Sequence, residues 1–360
     1  MGRGKSRIGI AWVTGVLLAG TAACGGHASA DSAKDTKAAA SRTAKPRPSG
    51  PPMLLETITP KTGTTVGVAM PVSVVFTNAV AKSARAGIEK HLGITSSVPV
   101  TGAWHWFSDT RVDWRPKEYW KPGTKVRVNA RLTGVSNGNG RYGTHDYRHN
   151  FKIGSDVEAK VSVPGHTMQV SKNGAAVRTL PIDAGSPSFP SWDGTMAVMD
   201  KARTVHMTSC SVGISCDKGS PDFYDLTLPW DVHLTNSGTY LHYSTGDPNP
   251  GHSYGSHGCV HLSLADAEWF YDFVKQGDPV TITGSPRGNA AGDNGYAAFN
   301  LSWSQWLARS ATGQPPWPRP DGGPLPAHEG RRAAALGTLP PPEYPGRPVV
   351  ARTDADGRGC

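Results

Sequence analysis

An apolar run from Ile8 to Leu18 sits behind three basic residues, Arg3, Lys5 and Arg7, and is followed by small residues up to Cys24. That is the layout of a secretory signal, so residues 1–24 are expected to direct the protein out of the cytoplasm. Residues 25–52 hold hardly a large apolar side chain and are rich in Ala, Ser, Lys, Thr and Pro. Such a segment buries too little surface to fold alone and reads as a disordered linker whose length sets its reach.

From Leu55 to about Ile153 the pattern becomes short alternating stretches. Val72, Val74 and Phe76 share one face, and Val126, Val128 and Ala130 share another, spaced by Lys125, Arg127 and Asn129. Period-two runs separated by turns predict a β-sandwich over residues 53–154. Its tryptophans, in Trp104-His105-Trp106 and between Trp114 and Trp120, are either core or a glycan-stacking surface, and core packing is the better reading.

Strand-like patterning resumes at Val157 and continues to Gly284, giving a second, mostly-β domain over 155–285. Lys172-Asn173-Gly174-Ala175 marks a hairpin turn. One helix stands out: Ser263-Leu264-Ala265-Asp266 has the form of a capping box, Ala267, Phe270, Tyr271 and Val274 follow at helical spacing, and Gly277 ends the run. Residues 286–312 include Phe299 to Leu307, a short helix packed back as a small C-terminal subdomain. Pro, Gly and Arg dominate from Gln314, so 313–360 is expected to be a disordered tail. No internal repeat is present.

The 360 residues carry a formal charge of +9, and without the three basic residues of the leader 34 basic face 28 acidic side chains, a net +6. This modest excess has two readings of equal weight: attraction of an extracellular protein to an anionic wall polymer or lipid surface, or ordinary solvated lysines. A basic patch interleaved with aromatics, as nucleic-acid binding would need, is not found. Of five cysteines, Cys210 and Cys216 are six apart and, in an oxidising compartment, can close a loop disulfide. Cys360 has no role that the sequence defines.

The chemistry concentrates in Tyr254-Gly255-Ser256-His257-Gly258-Cys259-Val260-His261-Leu262, whose cysteine lies seventeen residues after His242. A thiolate is the nucleophilic form of cysteine, and an imidazole that takes its proton leaves a pair able to attack an amide carbonyl. Cys259 and His242 fit those roles. The amides of Gly258 and Cys259 are candidates for an oxyanion hole, and the field of the following helix would favour thiolate. Two other readings stand beside this one. A lone cysteine is commonly a small buried hydrophobe. Alternatively His257, Cys259 and His261, alternating on a strand, bind zinc with His242, in which case the protein is a zinc amidase.

The Ser256-His257-Gly258-Cys259-Val260 turn, behind a Tyr240-Leu241-His242 strand end, resembles the signature of the L,D-transpeptidases, the YkuD-type enzymes that cross-link bacterial peptidoglycan. The Trp104–Trp106 and Trp114–Thr124 segments resemble the immunoglobulin-like domain that precedes the catalytic domain in actinobacterial members, which also carry a C-terminal subdomain. The resemblance implies Cys259 as nucleophile, His242 as base, and His257, Ser256 and Gly258 beside them. It also implies Tyr224 in a lid over the donor site, with Ser237 and Gly238 contacting substrate. His261 stands where relatives have arginine or asparagine, and Tyr243 where a smaller residue is usual. The implied substrates are a donor tetrapeptide stem and an acceptor amine of peptidoglycan, joined in a 3→3 cross-link with no metal or organic cofactor. An L,D-carboxypeptidase using water, or a wall-binding scaffold with a decayed centre, are the alternatives. Leu18 to Gly25 resembles a bacterial lipoprotein signal, implying lipid on Cys24 and anchorage at the outer membrane face, though Thr21 stands where leucine is preferred.

Overall fold

The computed structural model describes residues 50–313; the expected signal, lipidation at Cys24, linker up to residue 49 and tail from 314, with Cys360, lie outside the described residues. Pro52, the last residue of the expected linker, already pairs with Tyr142, in a short parallel strand of Pro52–Met53 with Tyr142–Gly143.

Residues 53–153 form the β-sandwich. One sheet holds Leu55–Thr59, Val72–Phe76, Arg111–Pro116 and Gly102–Trp106 in that order, and the other holds Thr65–Val66, Asp146–Ile153, Lys125–Arg131 and Leu92–Ser96. Strand Lys125–Arg131 alternates as its sequence predicts, with Val126, Val128 and Ala130 buried and the residues between them facing outward. Trp104, Trp106, Trp114 and Trp120 are all in the core, which removes the stacking-surface reading. A helix the alternation concealed, Lys82–His91, closes one end and buries Ile88. Its apolar positions Ala84, Ile88 and Leu92 recur every four residues, one turn of helix, within a stretch dominated by strand patterns.

The second domain has its own core, centred on a five-stranded sheet in the order Ala175–Pro181, Thr167–Lys172, Val157–Ser162, Pro279–Thr283 and Gly194–Ala197. The expected hairpin is there: Lys172 pairs with Ala175, and Asn173 and Gly174 both take positive φ, at 53° and 80°, as a two-residue turn of this type requires. A second sheet, which carries the site described below, runs Asp200–Thr208, Asp225–His233, Tyr240–Tyr243 and Val260–Leu262.

Strand Gly102–Trp106 is buried on both faces, which alternation alone would not give. Its outer face is covered by the C-terminal segment, whose helix Trp303–Leu307 is closed by a Ser302/Gln305 capping box. Trp306 Nε1 donates to the Ala103 carbonyl at 2.9 Å, and the Trp306 carbonyl accepts from His105 Nδ1 at 2.8 Å. The chain then wraps the buried Glu89 carboxylate, which accepts from Trp106 Nε1, Ala311 N and Thr312 N at 2.7–2.8 Å. The same segment holds the second domain, since Asn300 accepts from Thr195 N at 2.7 Å and donates to the Ala290 carbonyl at 2.9 Å. Arg111, clamped on the buried Asp113, adds bonds to the carbonyls of Asp293 and Gly295. Direct pairing of Gly67 N with the Gln276 carbonyl and Ala69 N with the Gly277 carbonyl completes the seam.

A carboxylate this enclosed and bonded to amide donors stabilises only as an acceptor. Glu89→Gln, which places an amide nitrogen against those N–H groups, is expected to cost about 2–3 kcal/mol in denaturant unfolding, against less than about 0.5 kcal/mol for the exposed Glu56→Gln.

Candidate active site

The site is built on one parallel strand pair. Tyr240–Tyr243 and Val260–Leu262 align Leu241 with Val260, His242 with His261 and Tyr243 with Leu262. That register sets the two imidazoles edge to face, with ring centroids 5.2 Å apart, and brings the Tyr240 amide to the Cys259 sulfur at 3.3 Å. The Gly238 carbonyl lies 3.7 Å from the same sulfur. Cys259 and His242 share a cavity of about 550 Å³ with Ser256, His257, His261, Tyr224 and Asp247.

His242 is oriented by the backbone. Its Nδ1 lies 2.8 Å from the Tyr243 carbonyl; a carbonyl only accepts, so Nδ1 carries the proton and Nε2 is the basic nitrogen. Tyr243, noted in the sequence as bulky, acts here through its main chain. Burial draws the His242 imidazole down to about 3, with His261 adding to the effect and the carbonyl opposing it, so this side chain is neutral at physiological pH.

Strand Tyr254–Ser256 ends in a turn whose bonds define two roles. Ser256 Oγ donates to the Cys259 carbonyl at 2.6 Å and accepts from Gly258 N at 3.1 Å, so its hydroxyl holds the turn. That commits the Gly258 amide, which the sequence reading had aimed at an oxyanion. Gly258 itself has φ of 118°, a conformation that glycine adopts readily. His257 leaves the strand direction at this turn: its ring packs 4.8 Å from Phe189 and 5.0 Å from Tyr224, and its Nε2 lies 3.9 Å from Asp222. The turn therefore breaks the alternation on which the zinc reading relied. A second expectation also shifts. Cys259 is followed by Val260–Leu262 before the helix Leu264–Phe273, capped by Ser263, begins. With a strand in between, at about 3.3 Å per residue, the helix field, which fades beyond its first turn, reaches the sulfur weakly.

A hairpin forms the opposite wall. Strands Asp200–Thr208 and Asp225–His233 contribute Met207, Leu226 and Leu228, and a disulfide joins Cys210 and Cys216 in the excursion between them. Ser209 closes its neck by bonds to both backbone groups of Tyr224. The Tyr224 hydroxyl is buried and has no hydrogen-bond partner among the described residues; burial raises its pKa, so it stays protonated.

Ser237 stands apart from the cavity. Its hydroxyl is engaged by Trp192 Nε1, Thr235 and Asn294 at 2.9–3.1 Å, so it braces the Gly238 turn, where φ is 89°. Asn294 comes from the C-terminal segment and was not singled out from the sequence.

Two carboxylates also escaped the sequence reading. Asp183 is buried and accepts from the consecutive amides of Gly251, His252 and Ser253 at 3.2, 2.9 and 2.6 Å, and from Ser253 Oγ at 2.8 Å. Burial opposes its ionisation, yet these bonds, led by Ser253, hold it down at about 2. It thereby fixes the loop entering the cysteine turn, and Asp183 and His261 exchange backbone bonds beside it. Asp247 Oδ2 lies 2.9 Å from His261 Nδ1, and burial with Asp183 nearby pushes Asp247 up to about 6. Burial draws His261 down to about 4 against the pull of Asp183. His261 is thus a neutral imidazole braced by a carboxylate.

Because the unfolded His261 takes a proton near pH 6.5 and the folded one only near 4, its contribution to stability is lost as pH falls through that window. Asp231, Asp247 and Asp278, raised by burial to between about 6 and 7, act in the opposite sense. The difference between proteins isolates the histidine. His261→Asn is expected to gain on wild type in unfolding free energy between pH 7 and 4, by at most about 1.4 kcal/mol per pH unit.

Residues 156–282 match the L,D-transpeptidase catalytic domain family (YkuD), and residues 11–136 match the bacterial Ig domain family. L,D-transpeptidase 2 of Mycobacterium tuberculosis is 34% identical over 257 residues, covering 71% of this chain and 62% of that protein, so the match spans less than two thirds of that relative. L,D-transpeptidase 1 of the same species is 36% identical over 228 residues, 63% of this chain and 84% of the relative. Among solved structures, the L,D-transpeptidase LdtMt1 in complex with imipenem aligns with a TM-score of 0.55 at 34% identity, over 65% of this chain and 99% of that one. L,D-transpeptidase 3 of M. tuberculosis with a faropenem-derived adduct aligns at 0.53 and 31%, over 64% and 98%. With a relative 36% identical and covered over 84% of its length, and a catalytic-domain match that contains both Cys259 and His242, the chain belongs to the L,D-transpeptidase family.

Proposed function

We propose that this chain is a secreted, lipid-anchored peptidoglycan L,D-transpeptidase that forms 3→3 cross-links through a thioester on Cys259. The observation that carries the reading is the shared cavity of Cys259 and His242, with His242 held by the Tyr243 carbonyl so that Nε2 is the basic nitrogen. His242 takes the thiol proton, and the sulfur attacks the carbonyl between the third residue of a tetrapeptide stem and its terminal D-alanine. The C–N bond breaks, and the departing amine takes the proton back from His242. A side-chain amine of a neighbouring stem then attacks the thioester, gives a proton to His242 and releases the sulfur. The protonated Tyr224 hydroxyl is a ready donor to the oxyanion of both tetrahedral intermediates. His257 and His261 line the donor side of the cavity, and no step calls for a metal or organic cofactor.

Burial keeps the His242 imidazole neutral well below pH 7 while lowering its basicity, and the Tyr243 carbonyl on Nδ1 acts in the other sense by favouring the imidazolium that forms when Nε2 takes the proton. The choice of amine over water as acceptor rests on how the hairpin wall excludes solvent.

Incubated with disaccharide-tetrapeptide, the protein is expected to yield a dimer lacking one D-alanine by mass spectrometry, with loss of product in Cys259→Ala and at least about a hundredfold slower formation in His242→Ala. Tripeptide alone would assign the carboxypeptidase reaction, and unchanged substrate would favour a wall-binding scaffold.

The relatives' complexes with imipenem and a faropenem-derived adduct support a reaction of such compounds with this chain, for which Cys259 is the proposed nucleophile. Intact-mass analysis is expected to show one imipenem adduct on wild type and none on Cys259→Ala; an equal adduct on both would exclude Cys259 as the acylated residue.

A further inference from the structure

One sheet of the sandwich carries a charge arrangement that its own packing does not require. Strands Lys125–Arg131 and Asp146–Ile153 pair with Lys125 opposite Lys152, Arg127 opposite Asn150, Asn129 opposite Arg148 and Arg131 opposite Asp146. Val126, Val128 and Phe151, the alternate residues, are in the core. Lys125, Arg127, Arg148 and Lys152 therefore stand together on the solvent face, and all four are exposed. Among the described residues none of them forms an ion pair. The face has one acid, Asp146, at the far end opposite Arg131, where it also accepts from Thr133 N at 2.9 Å.

Like charges directly opposite on paired strands are unfavourable, so the Lys125/Lys152 pair works against the fold. The surface between them is also concave. A cleft of about 470 Å³ is lined by Lys125, Arg127 and Lys152 together with Asn150, Thr64 and Thr95. Cations alternate along the strand at about 6–7 Å and lie about 5 Å from the next strand, with amide and hydroxyl groups between them.

We propose that this face binds a linear phosphodiester polymer whose repeats carry hydroxyl groups. Lysines and Arg127, whose Nε is held by Asn150 Oδ1 at 3.1 Å, would contact successive phosphates, and the Thr95 hydroxyl and the Asn150 amide nitrogen would bond the hydroxyls between them. Among the described residues the exposed large apolar side chains, Val177, Leu226, Tyr254 and Leu264, all belong to the catalytic domain. The cationic face thus has no large apolar side chain to insert into a bilayer, which separates it from a lipid-binding surface. No exposed aromatic on it offers a stacking platform for bases. The surface is independent of the chemistry proposed for Cys259, and it gives the sandwich a task of its own: concentrating the catalytic domain on an anionic polymer.

The test uses the whole protein and fluorescently labelled poly(glycerol phosphate) of defined length, read by fluorescence anisotropy across a salt series. Binding is expected to weaken as salt rises. The triple variant Lys125→Gln, Arg127→Gln, Lys152→Gln is expected to bind at least about tenfold more weakly, the combined effect of three exposed charge contacts, while its melting temperature equals or exceeds that of wild type. Equal affinity of variant and wild type, or no binding by wild type, would overturn the proposal. So would capture by phosphatidylglycerol vesicles without capture of the polymer, which would assign the face to a membrane.

Discussion

The parallel pairing of Tyr240–Tyr243 with Val260–Leu262 is the constraint on which the site depends. A slip of one residue would turn every side chain of the short strand to the other face, taking His242 away from Cys259 and His261. Three registered residues are few to hold that register, and the surrounding bonds explain how they do. Asp183 ties the loop before the turn through three successive amides, Ser256 ties the turn to itself, and the Asn294–Ser237 pair braces the approach to the other strand. The anchor that fixes the reactive geometry is therefore largely made of groups that do not touch the sulfur.

Those bracing groups are what the sequence conceals. Cys259, His242 and their neighbours are legible because their chemistry is compressed into a short motif with a known meaning. Asp183 is not, because its partners lie about seventy positions downstream and its local setting, the end of an apolar strand, gives no sign of them. The same holds for Asn294, which serves a serine fifty-seven positions away. Fold class reads well for a related reason: alternation records burial on one face, and Lys125–Arg131 and the paired Asp146–Ile153 keep it along their length. Gly102–Trp106 departs from alternation only because a segment two hundred residues later covers its second face. Helix Lys82–His91 went unread because a single ten-residue helix contributes little signal among strands.

The two amides proposed from the turn sequence show how a correct motif can still mislead in detail. Gly258 is where the family pattern puts it, yet its N–H is spent on Ser256. Polar atoms in a tight turn satisfy one another first, and only the remainder is offered to a substrate. Here the buried Tyr224 hydroxyl is part of that remainder, carried in from a different hairpin and held at its base by Ser209.

The C-terminal segment has a consequence for how the chain is made. Glu89 and strand Gly102–Trp106 emerge from synthesis more than two hundred residues before Ala311 and Thr312, the groups that neutralise the one and roof the interval beside the other. Until then a carboxylate and the strand face that carries Ala103 and His105 remain open on an otherwise assembled sandwich. Domains formed in order from the N-terminus generally complete themselves as they appear; this one cannot. Its last stitch is also the last part of the second domain, so the two halves become finished molecules at the same moment, and a nascent chain stalled anywhere before residue 311 carries both of them unsealed.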